Sequence, residues 1–164
     1  MKPLIVLLTS FLIGLILIKL LNKKFKWQLA GRIAMAIMLS FTAIGHFVFI
    51  EGMTAMIPDF IPLKRELVYL TGILEITLGL GLLIPKLKLK SGWILILFFI
   101  AILPANIKAS MENINYQTGE LDGNGLEYLW FRIPLQVFFI VWVFFTAIKS
   151  NKQGLLKKIT NKLK

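Results

Sequence analysis

The 164-residue sequence has no cysteine and a single histidine, His46. Without thiols there is no disulfide framework, no thiolate metal site and no thiol–disulfide relay. One histidine and no cysteine also fall short of the ordinary zinc ligand sets. No metal site is therefore expected, and any redox role would need a bound cofactor. Acidic residues are scarce as well, at eight Asp and Glu against nineteen Lys and Arg. The net charge of +11 is not a nucleic-acid signature, because the lysines lie between apolar segments and in the tail rather than on one clustered face. A glycine-rich phosphate loop is missing, and no serine, histidine and acid combine into a convincing triad. The run Glu120-Leu121-Asp122-Gly123-Asn124-Gly125 imitates the start of a calcium loop. Its twelfth position is Phe131, however, where an EF-hand requires Glu.

What the chain has is apolar length. Hydrophobic residues make up 57% of it and the mean hydropathy is +0.79, above the roughly 45–50% apolar usage of soluble domains. Five segments approach the roughly 20 apolar residues that a helix needs to cross a bilayer: 4–21, 28–50, 67–84, 92–107 and 128–148. The fourth is the shortest, and Pro85 stops the third. The first could be read as a signal peptide, but it runs into Lys19 and Lys23 without a small-residue cleavage site, which favours an uncleaved span.

Charge orients the spans. With the N-terminus outside, thirteen lysines fall on the cytoplasmic side, against Lys2, Lys64, Arg65 and Lys108 outside. That is the asymmetry of the positive-inside rule. Every acid except Glu75 falls in the two long outer loops. The expectation is a multi-pass protein of the cell membrane, with the N-terminus outside, the C-terminus cytoplasmic and the lipid bilayer as its first partner. In the tail, Leu155, Ile159 and Leu163 recur every four residues opposite lysines. Two readings stay open there, an interfacial amphipathic helix or a solvated basic tail.

Ionisable groups inside a span are costly and tend to turn inward toward a partner. Here they are Arg32, His46, Glu75 and Arg132, with Asn106 and Gln136 adding amides. At a rise of about 1.5 Å per residue, His46 and Arg132 lie roughly 6 Å below the outer ends of their helices, and Glu75 and Gln136 roughly 12 Å. Asn106 is near an outer end, while Arg32 is near an inner end, where it can snorkel to lipid phosphates. Gly72, Glu75 and Gly79 share one helix face, as do Arg132 with Gln136 and Thr42 with His46. The expected binding cluster is therefore His46, Glu75, Asn106, Arg132 and Gln136. Glu75 should pair with Arg132, around a polar pocket rimmed by the 58–62 loop. A Glu–Arg pair that simply fastens two helices is the competing reading, and no residue is marked as catalytic.

Several blocks, in order, resemble the DoxX-like family of small membrane proteins. They are Ala43-Ile44-Gly45-His46-Phe47, Met56-Ile57-Pro58-Asp59-Phe60-Ile61-Pro62, Leu70-Thr71-Gly72-Ile73-Leu74-Glu75, Pro104-Ala105-Asn106-Ile107 and Arg132-Ile133-Pro134-Leu135-Gln136. The likeness covers residues 31–148. It implies a compact four-helix bundle and, since the family takes its name from a thiosulfate:quinone oxidoreductase subunit, a quinone-associated redox role.

The fold expected is an all-α integral membrane protein. It comprises an N-terminal transmembrane helix and basic loop (1–27), a left-handed four-helix transmembrane bundle (28–148) and a basic amphipathic tail (149–164). The first function expected is binding of a quinone or other lipophilic small molecule within a membrane redox system. The alternative is a non-enzymatic accessory or assembly protein that holds a membrane-protein partner through its helices. A transporter fits less well, for want of an inverted repeat.

Overall fold

A computed structural model describes residues 2–22 and 25–149; the 155–163 pattern of the tail lies outside the described residues. Seven helices follow in chain order: α1 (Lys2–Asn22), α2 (Trp27–Val48), α3 (Ile50–Met56), α4 (Lys64–Leu83), α5 (Lys88–Ala101), α6 (Leu103–Met111) and α7 (Glu127–Val143). The last of these continues through a π-helical turn, Phe144–Ile148. No strand occurs among the described residues.

Local sequence sets the helix ends. Ile84 is extended at φ −82° and ψ 118°, the conformation a following proline favours, so α4 stops ahead of Pro85. Phe49 leaves the helical region and divides α2 from α3, a short helix that the apolar pattern did not separate. The fourth apolar segment is longer than expected, because α5 and α6 together span Lys88–Met111. Their break falls at Ile102, with Pro104, which has no amide hydrogen, in the first turn of α6. Lys108 does not end the helix. Its amine reaches the Ile57 carbonyl and the Asp59 carboxylate, both at 3.1 Å.

Small residues decide how the helices meet. A Cβ on Gly79 would sit 3.4 Å from Ala36 Cα, and one on Gly72 would be 2.8 Å from His46 Cβ, so α2 and α4 approach nearly backbone to backbone. Gly81 gives way to Ser91 in the α4–α5 hairpin, and Gly92 packs on Val143 and Ala147. The contacts run antiparallel: Gly72 with His46 and Gly79 with Ala36, then Asn106 with Arg132 and Phe99 with Gln136. Around the bundle the order is α2, α4, α5, α7, which leaves α4 and α7 diagonal to one another. Helix α1 lies outside this ring against α2, with Leu7 entering the core and Phe11 edge-on to Trp142 at 4.8 Å. Met35, Met38, Leu39, Leu82, Leu95, Phe99, Phe139 and Val143 fill the middle.

The outward faces are apolar: Ile5, Leu12, Ile16, Leu70, Ile73, Leu97, Val137 and Val141 are all exposed. Five helical stretches are long and apolar enough to cross a membrane: Lys2–Leu21, Trp27–Val48, Lys64–Leu83, Lys88–Met111 and Glu127–Ile148.

The two ends of the bundle differ. One carries Lys26, Lys86, Lys88, Lys90 and Lys149 beside short connections. The other is capped by α3, the 57–63 loop and the 112–126 loop. A Cβ on Gly52 would strike the Tyr116 carbonyl, so α3 lies directly against the longer loop. That loop is tied by Gly123 N–H to the Asn113 carbonyl (2.6 Å), Asn115 N–H to the Glu120 carbonyl (2.8 Å) and the Asn115 amide to Asp122 (3.0 Å).

Candidate functional site

The five residues expected in one cluster separate into two pairs and a lone Gln136, and the expected Glu75–Arg132 pair is not formed. On the α2–α4 seam, Glu75 is buried. Its Oε2 accepts a hydrogen bond from Thr42 Oγ1 at 2.8 Å and lies 3.7 Å from His46 Nε2. Across the bundle, Arg132 Nη2 of α7 donates to Asn106 Oδ1 of α6 at 2.7 Å, and the guanidinium lies 5.9 Å from the centre of the Tyr128 ring. The diagonal placement of α4 and α7 is the reason: polar groups pair with the neighbour they pack against, here α2 for α4 and α6 for α7. Gln136 joins neither group. Its Nε2 donates to the Phe99 carbonyl at 2.5 Å, fastening α7 to the end of α5. Arg32 sits near the basic end of the bundle, away from both clusters, with its Nε buried and unpartnered.

The seam cluster is finished by hydroxyls. His46 Nδ1 lies 3.2 Å from the Val68 carbonyl and 3.0 Å from Thr71 Oγ1, and Thr71 itself donates to Val68 at 2.8 Å. Thr42 shares a helix face with His46 at i, i+4, a spacing visible in the sequence. Thr71 carried no comparable signal, because a threonine in a span usually bonds back to its own helix.

The Arg132 cluster opens on a cavity of about 270 Å³. Its walls include Met56, Asn106, Ser110, Asn115, Asp122 and Tyr128 besides Arg132. The roof is therefore the 112–126 loop rather than the 58–62 loop that was expected to rim it. Asn106 is 5% exposed, and its orientation follows from chemistry: guanidinium only donates, so Oδ1 must face Arg132. Its Nδ2 is then left buried without an acceptor. Among the described residues Arg132 has no carboxylate within ion-pair distance, whereas Lys64, Lys108 and Arg65 at this end each have one. Asp59 joins Lys64 at 2.6 Å and Lys108 at 3.1 Å, and Glu51 joins Arg65 at 3.4 Å. Hydrogen bonds from Lys64 and then Lys108 hold the Asp59 carboxyl below the usual carboxylate range. The sequence points to Asn106, Arg132 and a polar pocket at this end, but not to the 112–126 loop as its roof. Tyr128, one turn before Arg132 on the same face, was the available pointer.

These features define a protein that, among the described residues, is all-helical, with five helices of membrane-crossing length and a polar cavity under a cap at one end. Residues 35–147 match the model of a family described as a domain of unknown function, DUF8561, and the chain belongs to that family. Among curated proteins and solved structures, none matches the chain.

Proposed function

We propose that the protein is a multi-pass membrane protein, with its N-terminus outside and its basic end in the cytoplasm, that binds the polar head of a lipophilic molecule in the capped cavity. The exposed apolar faces of all five long helices support the membrane setting, since a soluble surface rarely carries such a continuous patch. The division into an acid-bearing cap and a wholly basic opposite end supports the orientation.

One observation carries the binding reading: the Arg132 guanidinium, without a carboxylate partner, stands beside the buried free amide of Asn106 on a cavity of about 270 Å³. Both groups donate, so the complementary head presents acceptor oxygens, as a quinone carbonyl, a carboxylate or a phosphate does. A quinone is the occupant that the DoxX-like resemblance supports, with a membrane redox system as its setting. No catalytic residue is assigned.

The test is extraction of the full chain in mild detergent, followed by mass spectrometry of the molecules that remain bound. A lipophile with an oxygen-bearing head should copurify, and Arg132→Gln should retain about tenfold less of it, equivalent to about 1.4 kcal/mol. Equal retention by the two proteins would remove the cavity from the proposal. Because the chain has no cysteine, single cysteines placed at Asn124 and Lys149 report topology directly. Only the first should react with an impermeant reagent on intact cells.

A second reading, an accessory protein that holds a partner helix, draws on α1. Only 11% of its apolar stretch is buried, against 33–39% in the other four. A stoichiometric partner lost on polar substitution of the outward residues Leu12 and Ile16, but kept in Arg132→Gln, would favour it.

A further inference from the structure

The seam cluster carries an inference independent of the cavity. Hydrogen-bond stereochemistry fixes the tautomer of His46. A carbonyl oxygen can only accept, and the Thr71 hydroxyl has that of Val68 as an acceptor at 2.8 Å, which leaves Thr71 Oγ1 able to accept in turn. The two atoms around His46 Nδ1 are then both acceptors, at 3.2 and 3.0 Å, and Nδ1 must carry a hydrogen. In a neutral imidazole the other nitrogen, Nε2, would then present a lone pair. It faces Glu75 Oε2 at 3.7 Å, so a neutral ring beside an ionised Glu75 sets lone pair against carboxylate in a buried seam. Thr42 contributes one hydroxyl hydrogen, which also has the Met38 and Leu39 carbonyls within reach. It does not neutralise the carboxylate.

We propose that His46 and Glu75 form a one-proton site, in which a single exchangeable proton, carried on Nε2 or on Oε2 across a 3.7 Å gap, keeps the α2–α4 seam electrically neutral. With the proton on nitrogen the pair is imidazolium and carboxylate; with it on oxygen, imidazole and carboxylic acid. Either form is neutral overall. Release leaves one uncompensated negative charge among apolar neighbours, which is the costly state in a low-dielectric interior.

The groups on neighbouring elements do not supply the missing compensation. Glu51 of α3 is engaged by Arg65 of α4 at 3.4 Å, and Arg132 of α7 is bonded to Asn106. Lys19 of α1 and Lys88 and Lys90 of α5 belong to the opposite end of the bundle, and on α4 itself Lys64 binds Asp59 while Glu66 is exposed. His46 is the more accessible of the two partners, its side chain 16% exposed and that of Glu75 6%.

The chain's only histidine makes the experiment a single-residue one. The full protein, bearing a tag without histidine and labelled with ¹⁵N-histidine, is reconstituted and followed by NMR across pH. The Glu75 carboxyl is followed in parallel by infrared difference against Glu75→Gln. At neutral pH the expected result is a protonated Nδ1 together with one further proton, seen either as imidazolium or as a Glu75 carboxylic-acid band. Glu75→Gln should abolish whichever of these two signals the wild type shows. A neutral Nε2–H tautomer in the wild type, or a neutral ring beside an ionised Glu75, overturns the proposal. The wild-type spectra decide the matter even if Glu75→Gln does not fold.

Discussion

Glu75 and Arg132 begin from similar materials, each a charged side chain within an apolar helix and each met by a polar group from a neighbouring element, yet their surroundings differ. Around Glu75, Gly72 and Gly79 let two helices close until hydroxyl, imidazole and carboxylate fit between them. Around Arg132, the break at Ile102 and the long 112–126 loop hold the walls apart and leave space. Close packing uses up hydrogen-bonding capacity in the first place, and a roofed gap keeps it available in the second. The seam should therefore govern stability and the cavity occupancy.

Closing down the seam gives the largest expected effect. Gly72→Leu drives a side chain into the space held by His46 Cβ and the Phe47 ring. It should cost about 3 kcal/mol, the upper end of the usual overpacking range, read as a lower thermal midpoint in detergent. A midpoint unchanged from wild type would mean that the helices are not seated on that glycine.

Removing the charged groups sharpens the contrast. Glu75→Ala leaves His46 Nε2 without its polar neighbour and opens a gap in a buried seam, while Thr42 falls back on the Met38 and Leu39 carbonyls; it should cost about 2 kcal/mol. Arg132→Ala strands only the Asn106 carbonyl, beside a cavity that water can enter, and should cost less than about 1 kcal/mol while losing the bound molecule. Equal destabilisation by the two substitutions would erase the distinction between a closed site and an open one.

How much of this was legible in the sequence follows from what each signal encodes. Apolar run length marks helices that must be covered on every side, so all five long stretches could be read, Pro85 included. Helix phase told which residues share a face, as with Thr42 and His46 or Arg132 and Gln136. It could not tell which helix that face meets, and opposite charges at similar depth suggested a Glu75–Arg132 bond that the diagonal order of α4 and α7 prevents. A lysine in the sequence was taken as a helix end at Ile107, but the flexible stem of Lys108 let α6 continue while its amine reached the 57–63 loop. A polar pocket at this end was legible, but its roof was not, because the roof is a loop of polar residues without periodicity, where nothing local separates a lining residue from a solvated one.

The smallest expected effect lies in how the cap is latched. Asp59 is 81% exposed on its side chain, yet it joins Lys64 at the start of α4 to Lys108 at the end of α6, linking the 57–63 loop to both. Those two lysines lower its carboxyl below the ordinary value. A depressed acid contributes above its unfolded value, near 3.9, and the contribution is lost as pH falls through the lower folded value. The latch should thus hold from neutral pH down to about 4 and weaken only in stronger acid. Hydrogen exchange in residues 57–63 is the measurement, with faster exchange expected at the acid end and little change in the α2–α4 seam. Asp59→Asn should reproduce the faster exchange at neutral pH without lowering the thermal midpoint appreciably, because exposed ion pairs contribute little to global stability. A latch that loosened already between pH 7 and pH 5 would point to a different group, and the cap would then have to be held by something other than this carboxylate.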